Sequence, residues 1–233
     1  MSGDRAYALG KGTASVRRRW VTLTAMPPQV GLYHPAPLDA SVALPSSWLR
    51  GTCPEGVQRR TLTANLDDRG SFTEIFRAEW GLQVQPVQWN LVHSRGLVLR
   101  GVHVHLRHTD YFLLASGHAS VGLHDLRPGS PTEGQSSVVH MTADEPAGIV
   151  IPPGVAHGFF FHVPSIHVYA VSQYWDKADE LGCHWADPDL QIPWPMPGGR
   201  LAEVQLSEYD AALPSLKELA GVIPAWRPPS TEL

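Results

Sequence analysis

From about residue 56 the chain runs through short segments rich in β-branched and aromatic residues, broken at close intervals by Gly, Pro, Asp and Asn. The segments are VQRRTLTANL (57–66), VQPVQWNLV (84–92), DYFLLASGHASVGLHDL (110–126), SSVVHMTA (136–143), AGIVIPPG (147–154), GFFFHV (158–163) and IHVYAVSQYW (166–175). Many short strands separated by turn residues specify an all-β sandwich or barrel. Helical signals are few. DKADELG (176–182) predicts a turn or two stopped by Gly182. LSEYDAALPSLKELAG (206–221) opens on Ser207 as an N-cap, is interrupted by Pro214 and ends at Gly221.

Residues 1–54 have a different texture, rich in Pro, Ala and Ser and with little periodicity. They read as an irregular N-terminal extension or arm, and RRRW (17–20) within them reads as a solvated basic stretch. The domain is expected over 55–222, with 223–233 as a C-terminal tail. At 233 residues and 43% hydrophobic content, one domain with a real core is expected. A formal net charge of −4 argues against general nucleic-acid binding, which leaves a basic footprint. No apolar run approaches the roughly 18 residues that span a bilayer, and the N-terminus lacks the apolar core of a secretory signal. A cytoplasmic protein is expected, with Cys53 and Cys183 as free thiols.

The chemistry concentrates in RGVHVHLRHTD (100–110). Strand side chains alternate with period two, so His103 and His105 share a face. Asp110 follows, and the Pro152-x-Gly154 turn leads to His157 on a strand that can return beside the first. His103, His105, Asp110 and His157 together offer three imidazoles and a carboxylate, a donor set that suits one divalent ion among Fe, Mn, Ni, Zn and Cu. The spacing resembles the two sequence motifs of the cupin superfamily, with Asp110 in the usual glutamate position and Phe161 where an asparagine is expected. His108 reads as a loop or surface residue.

A longer resemblance covers residues 56–220. DDRGSFTE (67–74), VQWN (87–90), LRGVH (99–103), DLRPGSPTEG (125–134), IPPGVAHGF (151–159), WADPDLQIPWP (185–195) and LSEYDAALPSL (206–216) follow one another in the order and near spacing of the dTDP-4-dehydrorhamnose 3,5-epimerase family. The resemblance implies a cupin jelly-roll barrel with a C-terminal helical segment, usually in a homodimer that shares strands or arms. The reaction it implies is proton exchange at C3 or C5 of a dTDP-linked 4-keto-6-deoxy sugar, through an enolate at the C4 oxygen. By the same resemblance His103 is the base, Asp210 orients it and Tyr169 is the acid on the opposite face. Arg100, Arg69, Glu74, Gln88 and Asn90 fall at positions lining the nucleotide-sugar pocket, and Trp175 stands where a second aromatic follows the acid.

Three positions depart from that pattern, one of them Trp175, where the family has tyrosine; the other two bear on the chemistry. The family's enolate-stabilising lysine is Asp110 here, which reverses the sign of the electrostatic term such catalysis depends on. The glutamine two residues after the base is His105. Together the changes resemble a metal-ligand set, and a divalent ion would return positive charge to the pocket. Three functions are therefore carried forward. The first is an epimerase-like enzyme on a nucleotide sugar, metal-free or metal-assisted. The second is a metal-dependent cupin of other chemistry, such as an Fe(II) oxygenase or metal isomerase. The third is a non-catalytic ligand-binding cupin.

Overall fold

The computed structural model describes residues 48–196 and 204–223. Nearly all of the expected N-terminal extension, and all but the first residue of the expected tail, lie outside the described residues. Thirteen strands and two short helices follow one another in the described chain. The strands are β1 (Leu49–Gly51), β2 (Gln58–Thr61), β3 (Ala64–Asp67), β4 (Gly70–Thr73), β5 (Gln88–Ser94), β6 (Val98–Val104) and β7 (Asp110–Ser116). They continue with β8 (His118–Asp125), β9 (Ser136–Thr142), β10 (Ala147–Ile151), β11 (Val155–Phe161), β12 (Ser165–Val171) and β13 (Leu181–Gly182).

They form a six-stranded sheet ordered β1-β9-β8-β11-β6-β13, a five-stranded sheet ordered β2-β10-β7-β12-β5, and the separate hairpin β3-β4. All of these strand pairs are antiparallel. From β5 to β13 consecutive strands alternate between the two larger sheets, except for the hairpin β8-β9, which is the jelly-roll arrangement the sequence runs predict. Strand β1 pairs with β9, so residues 49–51, read from sequence as part of the irregular extension, belong to the barrel.

Period-two alternation builds the core. Phe112 and Leu114 of β7, with Ile149 of the neighbouring β10, pack in one cluster with Ala119, Val121 and Leu123 of β8 and Val139 of β9 from the other sheet. The other face of the six-stranded sheet is also covered. Trp185, Leu190, Ile192 and the second helix pack there against Leu99, Val138 and Phe160. Strand β8 is therefore buried along its whole length, although its sequence alternates polar and apolar residues. Gly122 of β8 makes this cover possible, because a Cβ there would run into the Trp194 ring.

The helices α1 (Glu208–Ala211) and α2 (Leu216–Ala220) flank Pro214. Ser207 caps α1 through the Asp210 N–H, as its sequence position predicts. Ser215 and Glu218 cap α2 reciprocally. DKADELG behaves differently from its helical reading: Lys177–Asp179 makes one 3₁₀ turn and Gly182 enters β13 rather than stopping a helix. Cys53 and Cys183 are free thiols.

The DLRPGSPTEG turn closes on itself. The buried Asp125 carboxylate accepts hydrogen bonds from the Arg127 guanidinium at 2.7 Å, and from Ser130 and Thr132 at 2.6 Å. Arg127 in turn lies against Gly154, whose φ of +79° and lack of Cβ leave room for it. This clamp fixes the turn that starts β11, and with it His157.

Candidate active site

A cavity of about 650 Å³ opens between the sheets at one end of the barrel. Strand register assembles its walls. His157 of β11 stands directly across from His103 of β6 in the six-stranded sheet. In the five-stranded sheet Asp110 of β7 pairs with Val171 of β12, and Tyr169 pairs with Phe112. His103 and His105 both line the cavity, as period two requires, together with Arg100, Trp175 and Asp210.

His103 is held from both sides. Its Nε2 lies 2.7 Å from Asp210 Oδ1 and its Nδ1 lies 3.1 Å from Glu180 Oε1. Burial works against ionisation of Asp210, but the hydrogen bond and charge of His103, with bonds from Ser207 and the Gly101 N–H, keep its carboxyl below the usual range. Glu180 is itself fixed, since the Trp175 indole N–H donates to Oε2 at 2.7 Å. Tyr209 donates to the Glu180 carbonyl at 2.9 Å and its ring lies beside His103.

Tyr169 faces the same cavity from the opposite sheet. Burial, followed by the nearby Asp110 and Glu180 carboxylates, raises its hydroxyl above the ordinary tyrosine value, so it stays protonated at neutral pH.

The other histidines form a separate group. His105, Asp110 and His157 are buried, with one ligand atom from each lying within 4.8 Å of the others. His105, His108 and Asp179 form a second such group. His103 is in neither, so the four-ligand set expected from the cupin spacing is not assembled as such: the carboxylates of Asp210 and Glu180 take both of its nitrogens. His108 also departs from its surface reading. It is buried, stacks on His105 at 4.1 Å and meets Asp179 at 3.1 Å.

Burial, then His108, lowers His105 to about 4. Burial lowers His157 well below the ordinary value and raises Asp110 well above it, the latter helped by Glu180 and Asp179. Neutral imidazoles beside a carboxyl are a donor set that fits a divalent transition metal.

Four sequence-predicted residues do not line this cavity. Arg69 pairs with Asp67 at the exposed β3-β4 turn, and Glu74 pairs with Arg77 nearby. Gln88 donates to Asn90 at 3.0 Å and accepts from the Trp175 backbone N–H at 3.1 Å, on the face of β5 that also carries the cavity-lining Val92. Arg100 does line the cavity, with its Nε donating to Ser94 Oγ at 3.0 Å. Sequence reasoning missed Glu180, Asp179, Lys177 and Tyr209. Only the cluster of charges in DKADE hinted at the first three.

The model of the dTDP-4-dehydrorhamnose 3,5-epimerase family matches residues 54–218.

The chain belongs to this family.

A dTDP-4-dehydrorhamnose 3,5-epimerase of Mycobacterium tuberculosis is 32% identical over 182 residues, covering 73% of this chain and 89% of that protein. The spore coat polysaccharide biosynthesis protein SpsL of Bacillus subtilis is 33% identical over 144 residues, covering 60% and 95%. Among solved structures, the dTDP-6-deoxy-D-glucose-3,5-epimerase of Legionella pneumophila in complex with dTDP-4-keto-L-rhamnose superposes with a TM-score of 0.69 at 29% identity. It covers 77% of this chain and all of that one. Membership of the epimerase family accounts for the order of the seven sequence strings and for the jelly roll.

Proposed function

We propose that the protein is a carbohydrate epimerase acting on a dTDP-linked 4-keto-6-deoxy sugar. The observation that carries this reading is the His103–Asp210 pair at 2.7 Å facing the cavity, in a chain of this family. Family membership favours this reading over a metal-dependent cupin of other chemistry and over a non-catalytic one.

Asp210 accepts a hydrogen bond from His103 Nε2–H and leaves the Nδ1 lone pair to take a proton from the sugar carbon next to the ketone. Glu180 stands at that nitrogen, so substrate enters where Glu180 now lies or passes its proton onward through it. Tyr169 donates a proton to the carbanion from the other sheet, which inverts the centre. Arg100 and Lys177 are the Lys or Arg side chains on the cavity wall among the described residues, and guanidinium suits a diphosphate. Phe112, Phe159 and Val171 supply the apolar walls that keep water from the enolate.

The assembly we propose is a homodimer in which hairpin β3-β4 reaches a partner subunit. Leu66 is 80% and Phe72 66% exposed on it, and Arg69 and Glu74 sit at or just beyond its turn and end. No described helix is long and apolar enough to cross a membrane, and we place the enzyme in the cytoplasm with its nucleotide-sugar substrate.

Incubation with a dTDP-4-keto-6-deoxy sugar in D₂O tests the function. Deuterium at C3 or C5, read by proton NMR, is the expected outcome. Absence of exchange with every such sugar nucleotide overturns the reading.

A further inference from the structure

The floor of the cavity holds hydrogen-bond acceptors that converge without a donor between them. His157 Nδ1 lies 3.1 Å from the Val155 carbonyl, and His105 Nδ1 lies 3.2 Å from the Asp179 carbonyl. A carbonyl oxygen only accepts, so each imidazole carries a proton on Nδ1 and a lone pair on Nε2. His108 Nδ1 likewise lies 3.1 Å from the Asp179 carboxylate, which is secured by the Leu106 and Arg107 backbone N–H groups. The three remaining Nε2 atoms all face one atom, Asp110 Oδ2, at 3.9, 3.9 and 3.7 Å for His105, His157 and His108.

These separations are too long for hydrogen bonds. The Asp110 carboxyl is more than nine-tenths buried, and the basic side chains within 4 Å of it among the described residues are these imidazoles. Lone pairs and an ionised carboxylate oxygen repel one another unless a proton or a metal ion sits among them.

Their spacing suits such a centre. Ligands held about 2.0–2.2 Å from an ion lie roughly 3.0–3.6 Å apart, and the 3.7–3.9 Å separations from Asp110 Oδ2 come within a few tenths of an ångström of that. The Nδ1 partners also match a ligating histidine, which donates its other ring N–H to a carbonyl or carboxylate and is oriented by it.

We infer that His105, Asp110 and His157, with His108 beside them, bind one divalent transition-metal ion next to the His103–Asp210 pair rather than through it. The imidazole donors select ions of the Fe(II), Co(II), Ni(II), Zn(II) class over Mg(II) and Ca(II), which take oxygen shells. His103 is free of the site, so base and ligand are different residues. The site stands on side-chain geometry alone; only its consequence rests on the epimerase reading. An ion there returns positive charge to the position where the family's lysine has become Asp110, and supplies Lewis-acid polarisation of a carbonyl oxygen.

The test uses full-length, tag-free protein, stripped with a chelator and titrated with Co(II) and then Zn(II) without nucleotide. Expected are visible d–d absorption saturating at one equivalent, and calorimetric binding at about micromolar affinity or tighter. His157→Ala and the near-isosteric Asp110→Asn each weaken binding by about 10–100-fold or more. Asp210→Asn leaves it within about threefold, because that carboxylate is outside the ligand set. Circular dichroism identifies variants that fold; should His157→Ala fail to, Asp110→Asn carries the comparison. No saturable equivalent in the parent protein, or unchanged affinity in the folded ligand variants, overturns the inference. Binding without deuterium exchange would leave the metal site standing and sink the epimerase reading.

Discussion

Asp210→Asn isolates the pair on which the proposed reaction depends. The Asp210 carboxylate accepts from His103, from the Gly101 N–H and from the Ser207 side chain. An amide offers one oxygen and an NH₂ group, so in either orientation an N–H confronts a donor. Loss of a charge-assisted hydrogen bond costs roughly 1.5–3 kcal/mol, and a donor left against a donor about 1–3 kcal/mol more. The pair is only partly buried, with His103 side-chain exposure of 22%, so the lower half of each range applies. A combined loss of about 3–4 kcal/mol corresponds to about two to three decades in kcat at 1.36 kcal/mol per decade. The same substitution in a serine-protease triad acts through the wrong imidazole tautomer. Here it would turn the Nδ1 lone pair away from substrate in the same way. The assay is solvent deuterium uptake at C3 and C5 under saturating substrate, with near-ultraviolet circular dichroism to establish folding. A folded variant that loses less than about tenfold in kcat refutes the orienting role.

Tyr169→Phe removes the proposed acid but not the base. Net epimerisation should fall about 10²–10⁴-fold while proton wash-out by His103 persists, and equal losses in both would place the tyrosine outside the reprotonation step. Gly122→Ala drives a methyl group into the Trp194 ring, which should cost about 1–3 kcal/mol and lower the Tm measured by calorimetry; an unchanged Tm contradicts the packing described for this sheet. Acid should also loosen the fold through buried histidines. Burial holds His118 at about 4, and His162 and His167 at about 3, against 6.5 for an ordinary histidine. The unfolded chain then binds more protons, so stability is complete above about pH 6.5 and falls as pH drops towards 4 to 3, by up to about 1.4 kcal/mol per pH unit for each histidine. Urea unfolding between pH 8 and 5 reads this slope, and His162→Gln should reduce it; a flat profile contradicts the burial argument.

Alternation and turn chemistry are local properties, so sequence alone located the β runs, the Ser207 cap and the shared face of His103 and His105. It also ordered the seven strings that mark the family, and so paired His103 with Asp210 across 107 positions. What it could not supply was contact between segments with no common period. Glu180, Asp179 and Lys177 look like a solvated helical turn in DKADELG. Lys177 and Glu180 reach the cavity, and Asp179 reaches His105 and His108, because a single 3₁₀ turn gives way to β13, which pairs with β6. The alternating β8 sequence likewise suggests one wet face, yet the segment from Trp185 to Trp194 folds over it and buries both. Motif spacing grouped His103 with the ligands. Closure of the barrel gave it two carboxylates instead, and left the remaining imidazole lone pairs facing Asp110. Strand period determines which way a side chain points, whereas the partner it meets depends on how the sheets close.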